Sequence, residues 1–216
     1  MGLNNKWDIE RTWGSHQPLL KSVLKVLKPG SAVECGCGDY STSHLRSVQN
    51  LITIEHDSRW ASKIRHQYSP EHQWLVYQFQ AKNQTRIAEL PPGVFNEMNN
   101  YYKGLELEPF DLLFVDTFTA CRVPAVLHLG HLAEYIIIHD LEPPGPEVYE
   151  WSRLDEFLFG WNKLIHKPEG YINKAHKIPW TGLYSKTELP LDQLNEAMKD
   201  ESERLWKSFQ PLEEIK

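Results

Sequence analysis

The chain has 216 residues, 41% of them apolar and 12% aromatic, with a formal net charge of −6. That composition belongs to a folding chain long enough for one well-buried domain, spanning residues 1–216, and it excludes wholesale disorder. The acidic balance gives no broad basic field and no segment approaches spanning length, so neither nucleic acid nor a membrane is expected as a partner.

In chain order, Leu19, Leu20, Val23, Leu24 and Leu27 share one helical face, predicting a helix over about 18–28 that Pro29-Gly30 stops. Ser31–Cys35 is a short strand running into the turn Gly36-Cys37-Gly38, and Leu51–Glu55 is a buried strand. A helix is expected over 59–67 and an aromatic, β-branched strand over 72–79. Between 81 and 109 the pattern weakens, and Pro91-Pro92-Gly93 and Asn99-Asn100-Tyr101-Tyr102 read as a loop or insertion of about 84–108. Phe110–Asp116 is the clearest buried strand. Val123–Leu132 is expected as a helix and Tyr135–His139 as another strand. After the breaker Glu142–Pro146, a helix is expected over 148–159, then a hairpin of 162–166 with 181–185, and a closing helix over about 190–209. Strands alternating with helices predict an α/β fold: a doubly wound, mostly parallel sheet with helices on both faces.

Cys35, Cys37 and Cys121 have no metal-ligand or disulfide spacing and are expected as reduced thiols. Met1 to Trp13 lacks the apolar core of a signal peptide, so a cytoplasmic protein is expected. The most basic stretch, Lys163, Lys167, Lys174 and Lys177 with His166 and His176, reads as a solvated hairpin. His128 and His131 read as a surface pair.

In an open α/β sheet, ligands bind beyond the carboxyl ends of the strands, where strand order reverses. Gly36 and Gly38 follow the first strand, where the missing Cβ permits a tight turn and a close backbone approach to a ligand. Ser41 or Thr42 is placed to cap the next helix, and Glu55, ending the next strand, to accept two ribose hydroxyls. A dinucleotide site would want a third glycine where Ser41 stands, and Asp39 would repel a pyrophosphate. S-adenosylmethionine carries cationic groups and no phosphate, which suits these acids better.

Glu34-Cys35-Gly36-Cys37-Gly38 resembles the acid-x-Gly-x-Gly signature of class I S-adenosylmethionine-dependent methyltransferases, O-methyltransferase-like members among them. Ile54-Glu55-His56-Asp57 resembles the acidic second motif, Phe110–Asp116 the fourth, and Ile136–Asp140 the fifth strand. The resemblance runs from about Gln17 to Ser185 and implies a seven-stranded sheet whose last strand is antiparallel. It implies Gly36 and Gly38 beside the methionine moiety and Glu55 on the ribose, with Glu34, Tyr40, Ser41, Thr42 and His56 completing the cofactor site.

Asp116, His139 and Asp140 close the fourth and fifth strands and are the candidate catalytic residues, with Asp116 or His139 as general base. Asp116 and Asp140 could alternatively hold a divalent metal, as in the metal-dependent catechol and macrolide-sugar O-methyltransferases that this arrangement resembles. Leu141 stands where the catechol type carries an amide ligand. His139 points away from Asp140 unless the strand has already ended. The bland reading is that both acids cap helices or bind loop amides. Arg122 is a candidate for an anionic group of the acceptor or an ion-pair partner of Asp116, and Tyr40, Trp180 and Tyr184 for pocket walls. The expected activity is methyl transfer to a small-molecule acceptor, at a hydroxyl oxygen. The alternatives are a non-catalytic S-adenosylmethionine binder and a dinucleotide or nucleotide-sugar enzyme.

Overall fold

A computed structural model describes residues 13–65, 72–80, 86–143, 145–168 and 177–207. The far end of the expected helix beyond Arg65, the start of the expected insertion, Lys174, His176 and the last residues of the expected closing helix lie outside them.

The strands are β1 (Ser31–Cys35), β2 (Asn50–Glu55), β3 (Gln73–Val76), β4 (Phe110–Val115), β5 (Ala133–His139), β6 (Asn162–His166) and β7 (Thr181–Ser185). They form one seven-stranded sheet in the order β3-β2-β1-β4-β5-β7-β6. The first five are parallel, and β7 runs antiparallel to both β5 and β6. Strand order reverses between β1 and β4, so the carboxyl ends of β1, β2, β4 and β5 open on one edge.

The helices are α1 (Gln17–Val26), α2 (Thr42–Leu45), α3 (Ser58–Arg65), α4 (Val94–Lys103), α5 (Arg122–Leu129), α6 (Gly145–Tyr149) and α7 (Leu191–Lys207). Side chains alternate over Leu112–Val115 of β4: Leu113 and Val115 join the core under α4 and α5, while Leu112 and Phe114 join the core under α1 and α7. This two-sided burial makes the central strands continuous apolar runs.

Two expected elements differ. The stretch read as an insertion contains α4, whose Val94, Met98 and Tyr102 are buried at i, i+4 and i+8. It is the core-packed crossover helix between β3 and β4. The helix expected over 148–159 is instead the short α6, a break at Glu150 (φ 55°, ψ 43°), a 3₁₀ turn at Trp151–Leu154 and a series of turns. A left-handed glutamate cannot continue a right-handed helix. Among the described residues no helix is long and apolar enough to cross a membrane.

Candidate active site

At the end of β1 the chain turns at Gly36, whose φ is +91°. Gly36 N donates to Ile54 O and Asp116 N to Cys35 O, both at 2.9 Å, so the turn is clamped between β2 and β4. Gly38, by contrast, has room: a Cβ there would meet only Ser41 Oγ, at 3.8 Å. Under the turn lies Glu34, fully buried, accepting hydrogen bonds from Ser41 Oγ (2.6 Å), Thr42 Oγ1 (2.9 Å) and Thr53 Oγ1 (2.8 Å). Thr42 Oγ1 in turn accepts Gly38 N at 3.0 Å. Burial pushes the Glu34 carboxyl up to about 7 against the pull of these hydroxyls. Glu34 and Thr42 therefore support the turn from below, and neither lines the cavity; this corrects their expected place in the cofactor cradle. Ser41 does reach the cavity, but it makes no side-chain cap, because its hydroxyl is spent on Glu34.

At the end of β2, Glu55 faces the same cavity with its oxygens already engaged. Oε2 accepts Cys37 N at 3.0 Å and Cys37 Sγ at 3.2 Å. Oε1 accepts His56 N (2.8 Å) and Asp57 N (2.9 Å) and lies 2.9 Å from His56 Nδ1. A carboxylate has about four lone-pair sites, and these donors fill them. Burial opposes ionisation, but the donors and His56 outweigh it and hold the carboxyl below its ordinary value. Glu55 thus ties the glycine turn to β2, and its expected grip on ribose hydroxyls would require it to release partners. The more open acid on this wall is Asp57, whose side chain is 38% exposed and whose Oδ1 caps α3 through Arg59 N and Trp60 N. Trp60 donates from Nε1 to Cys37 O at 2.7 Å, and His56 stacks on Phe118. Asp57, Trp60 and Phe118 line the cavity and were not among the sequence candidates.

At the ends of β4 and β5, Asp140 takes φ 64°, so the strand ends at His139 and the two neighbouring side chains turn to the same side. His139 Nδ1 lies 3.2 Å from Asp116 Oδ2 and 3.5 Å from Asp140 Oδ1. Arg122 Nη2 stands 2.9 Å from both Asp116 Oδ1 and Asp140 Oδ2, while its Nε and Nη1 donate to Thr117 O and His139 O. Tyr149 closes the far side, its hydroxyl donating to Asp140 Oδ2 at 2.9 Å and its ring lying under Arg122. Arg122 is therefore a buried clamp consumed by this chain's own acceptors, the ion-pair reading rather than the acceptor-binding one. Its guanidinium also fills the space between Asp116 and Asp140, so a cation shared by those two carboxylates does not fit.

Sequence reasoning missed Ser15 and His16, just ahead of α1. Ser15 Oγ is 2.9 Å from His139 Nε2, and His16 Nε2 is 3.1 Å from Tyr40 O. No spacing or motif links Trp13-Gly14-Ser15-His16 to residues over a hundred positions away. Burial and the neighbouring His139 push His16 down to about 4. Burial also opposes charge on His139, but Asp140 and Asp116 outweigh it and raise the imidazole to about 8. Desolvation is likewise overridden at Asp116, where His139 and Arg122 hold the carboxyl far below the usual range.

These walls enclose one cavity of about 730 Å³, a size that suits a cofactor and a small acceptor together. One end is lined by Gly36–Ser41, Glu55–Asp57, Trp60 and Phe118, and the other by His16, Asp116, Arg122, His139, Asp140 and Tyr149. Tyr40 lines it as expected. Trp180 and Tyr184 do not, Tyr184 facing a smaller separate cavity beside Trp151. His128 bonds Asn99 at 2.9 Å and His131 is exposed, consistent with a surface pair.

Solved structures share this fold. An N-methyltransferase, NodS, from Bradyrhizobium japonicum has a TM-score of 0.56 at 12% identity, over 86% of this chain and 99% of that one. The O-methyltransferase TomG from Streptomyces achromogenes, in complex with SAM, gives 0.53 at 14% identity, over 85% and 91%. An O-methyltransferase from Bacillus cereus in complex with SAH gives 0.52 at 14% identity, over 80% and 81%. The fold is that of the class I methyltransferases. No family model matches the sequence, and no curated protein matches it either. In this methyltransferase fold the seven-stranded sheet and its antiparallel β7 are as the sequence led one to expect.

Proposed function

We propose that the protein binds S-adenosylmethionine in the cavity and transfers its methyl group to a hydroxyl oxygen of a small-molecule acceptor. The observation that carries this reading is the continuity of one cavity from the Gly38 turn and the Asp57 wall to the Asp116–His139–Asp140 end. The Gly36–Ser41 backbone is suited to the methionine part, Asp57 to the ribose hydroxyls, and Trp60 and Phe118 to the adenine. The cofactor supplies an electrophilic methyl group on a sulfonium. The chain's own groups bind, orient and exclude water, and most of the rate is expected from that positioning. Asp116, His139 and Asp140 line the cavity and are suited to orient an acceptor and take its proton. The solved relatives in fold, two of them in complexes with SAM or SAH, support the same reading.

A second reading, binding without transfer, has one observation in its favour: Asp116, Arg122 and Asp140 already satisfy one another. Calorimetry with S-adenosylmethionine, S-adenosylhomocysteine and NAD tests the site, and release of S-adenosylhomocysteine in the presence of hydroxylated acceptors tests the transfer. Binding of NAD in place of S-adenosylmethionine would overturn both readings.

A further inference from the structure

Asp116 divides its carboxylate between two partners of different chemistry. Oδ1 accepts Arg122 Nη2, while Oδ2 faces two imidazole nitrogens, His139 Nδ1 at 3.2 Å and His16 Nδ1 at 3.7 Å. Both Nδ1 atoms are fully buried and neither makes a hydrogen bond. The far side of each ring is held. Tyr40 O can only accept, so His16 Nε2 carries the proton and Nδ1 presents its lone pair to Asp116; Ser15 Oγ holds His139 Nε2. Anchoring the distal nitrogen to a carbonyl or hydroxyl is how metal-binding histidines are oriented. One ligand atom from each of the three residues lies within 4.8 Å of the other two, a spacing that one ion can bridge with bonds of about 2.0–2.2 Å after small side-chain shifts.

Charge points the same way. Asp116 and Asp140 bring two negative charges and Arg122 one positive, which leaves the cluster one positive charge short at Oδ2. A proton on His139 is one occupant for that place; a cation is the other.

We propose that His16 Nδ1, Asp116 Oδ2 and His139 Nδ1 form a binding site for a first-row divalent transition metal, with Zn²⁺ the best match. Two imidazoles and one carboxylate suit Zn²⁺ and its neighbours better than Mg²⁺ or Ca²⁺, which prefer all-oxygen shells. This is not the two-carboxylate site considered from the sequence, which Arg122 fills; it lies on the other oxygen of Asp116 and draws a ligand from the segment ahead of α1. All three ligands line the cavity, so a remaining coordination position opens into it. Resting further on the methyl-transfer reading, that position would take the acceptor's hydroxyl oxygen and lower its pKa. The site itself does not depend on that reading.

The test uses the full chain stripped with chelator, titrated with Zn²⁺ and Co²⁺ in the absence of any cofactor. One equivalent should bind, with Co²⁺ giving visible absorption bands and two paramagnetically shifted imidazole N–H signals in the proton NMR spectrum. His16→Gln, whose amide can still donate to Tyr40 O, and His139→Gln should each lose at least ~10-fold in Zn²⁺ affinity. The exposed His131→Ala should bind as the parent does. Absence of the shifted imidazole signals in the parent, or Zn²⁺ bound as tightly by His16→Gln as by the parent, would overturn the site. The NMR readout needs no variant to fold, and S-adenosylmethionine binding, measured separately on metal-free protein, shows which of the two proposals fails.

Discussion

A Cβ on Gly36 would lie 2.2 Å from the carbonyl oxygen of Asp116. The first glycine of the turn is thus demanded by the neighbouring strand, whereas the second borders open space.

The two glycines should therefore separate in experiment. Gly36→Ala adds a backbone clash and a strained positive φ, and should cost ~3 kcal/mol or more in urea unfolding. Gly38→Leu should change stability by less than ~1 kcal/mol while lowering S-adenosylmethionine affinity at least tenfold in calorimetry. Equal destabilisation by both would mean that the second glycine is structural too.

Glu34 makes stability depend on pH. Its carboxyl is raised from 4.5 to about 7 in the folded chain, so the folded state holds the proton more tightly than the unfolded one. Its contribution is fully present below pH 4.5 and is lost as pH rises through about 7, amounting to at most ~3 kcal/mol. The stability difference between the parent and Glu34→Gln, measured by unfolding between pH 5 and pH 8, should isolate this decline from the opposite trend of the buried His16, His44, His72 and His166, whose pKa values burial lowers.

Removal of the Arg122 clamp should be severe. Arg122→Met removes the guanidinium that bridges Asp116 and Asp140, leaving His139 as the one cation described between them, and should cost ~3–5 kcal/mol by chemical denaturation. Arg122→Lys should rescue only part, because one ammonium cannot match a guanidinium that reaches four acceptors.

Asp57→Asn keeps a side-chain oxygen for the α3 cap but removes the charge and one of two acceptors. Stability should stay within ~0.5 kcal/mol of the parent, while S-adenosylmethionine affinity falls about tenfold. Glu55→Ala, in contrast, should show its effect first in unfolding, since Cys37, His56 and Asp57 amides lose their acceptor.

Much of the sheet was legible because burial on both faces writes its strands as apolar runs, most plainly in Phe110–Val115 and Ile136–Ile138. Glycine spacing and the acids at strand ends marked the edge of the sheet on which the cavity opens. The helix α4 was hidden by its polar Asn and Tyr content and by Pro91-Pro92-Gly93 before it, although Val94, Met98 and Tyr102 carry a helical period. The break at Glu150 has no residue signature, since a left-handed glutamate is imposed by its surroundings. Roles within the site were the least legible part: Glu34 and Glu55 occupy motif positions, yet their oxygens are taken by this chain's own hydroxyls, amides and thiol.

By itself the sequence determined which segments are strands, that they alternate with helices, and that a glycine turn and three acidic strand ends share one edge. Those features follow from interactions between residues close in the chain, where periodicity and turn chemistry act. Only the tertiary structure decided that Arg122 would bind both Asp116 and Asp140, and that Ser15 would meet His139 across 124 positions. Such contacts depend on strand order and on where α1 is laid against the sheet. A buried charge or imidazole takes its role from whatever partner the fold brings to it.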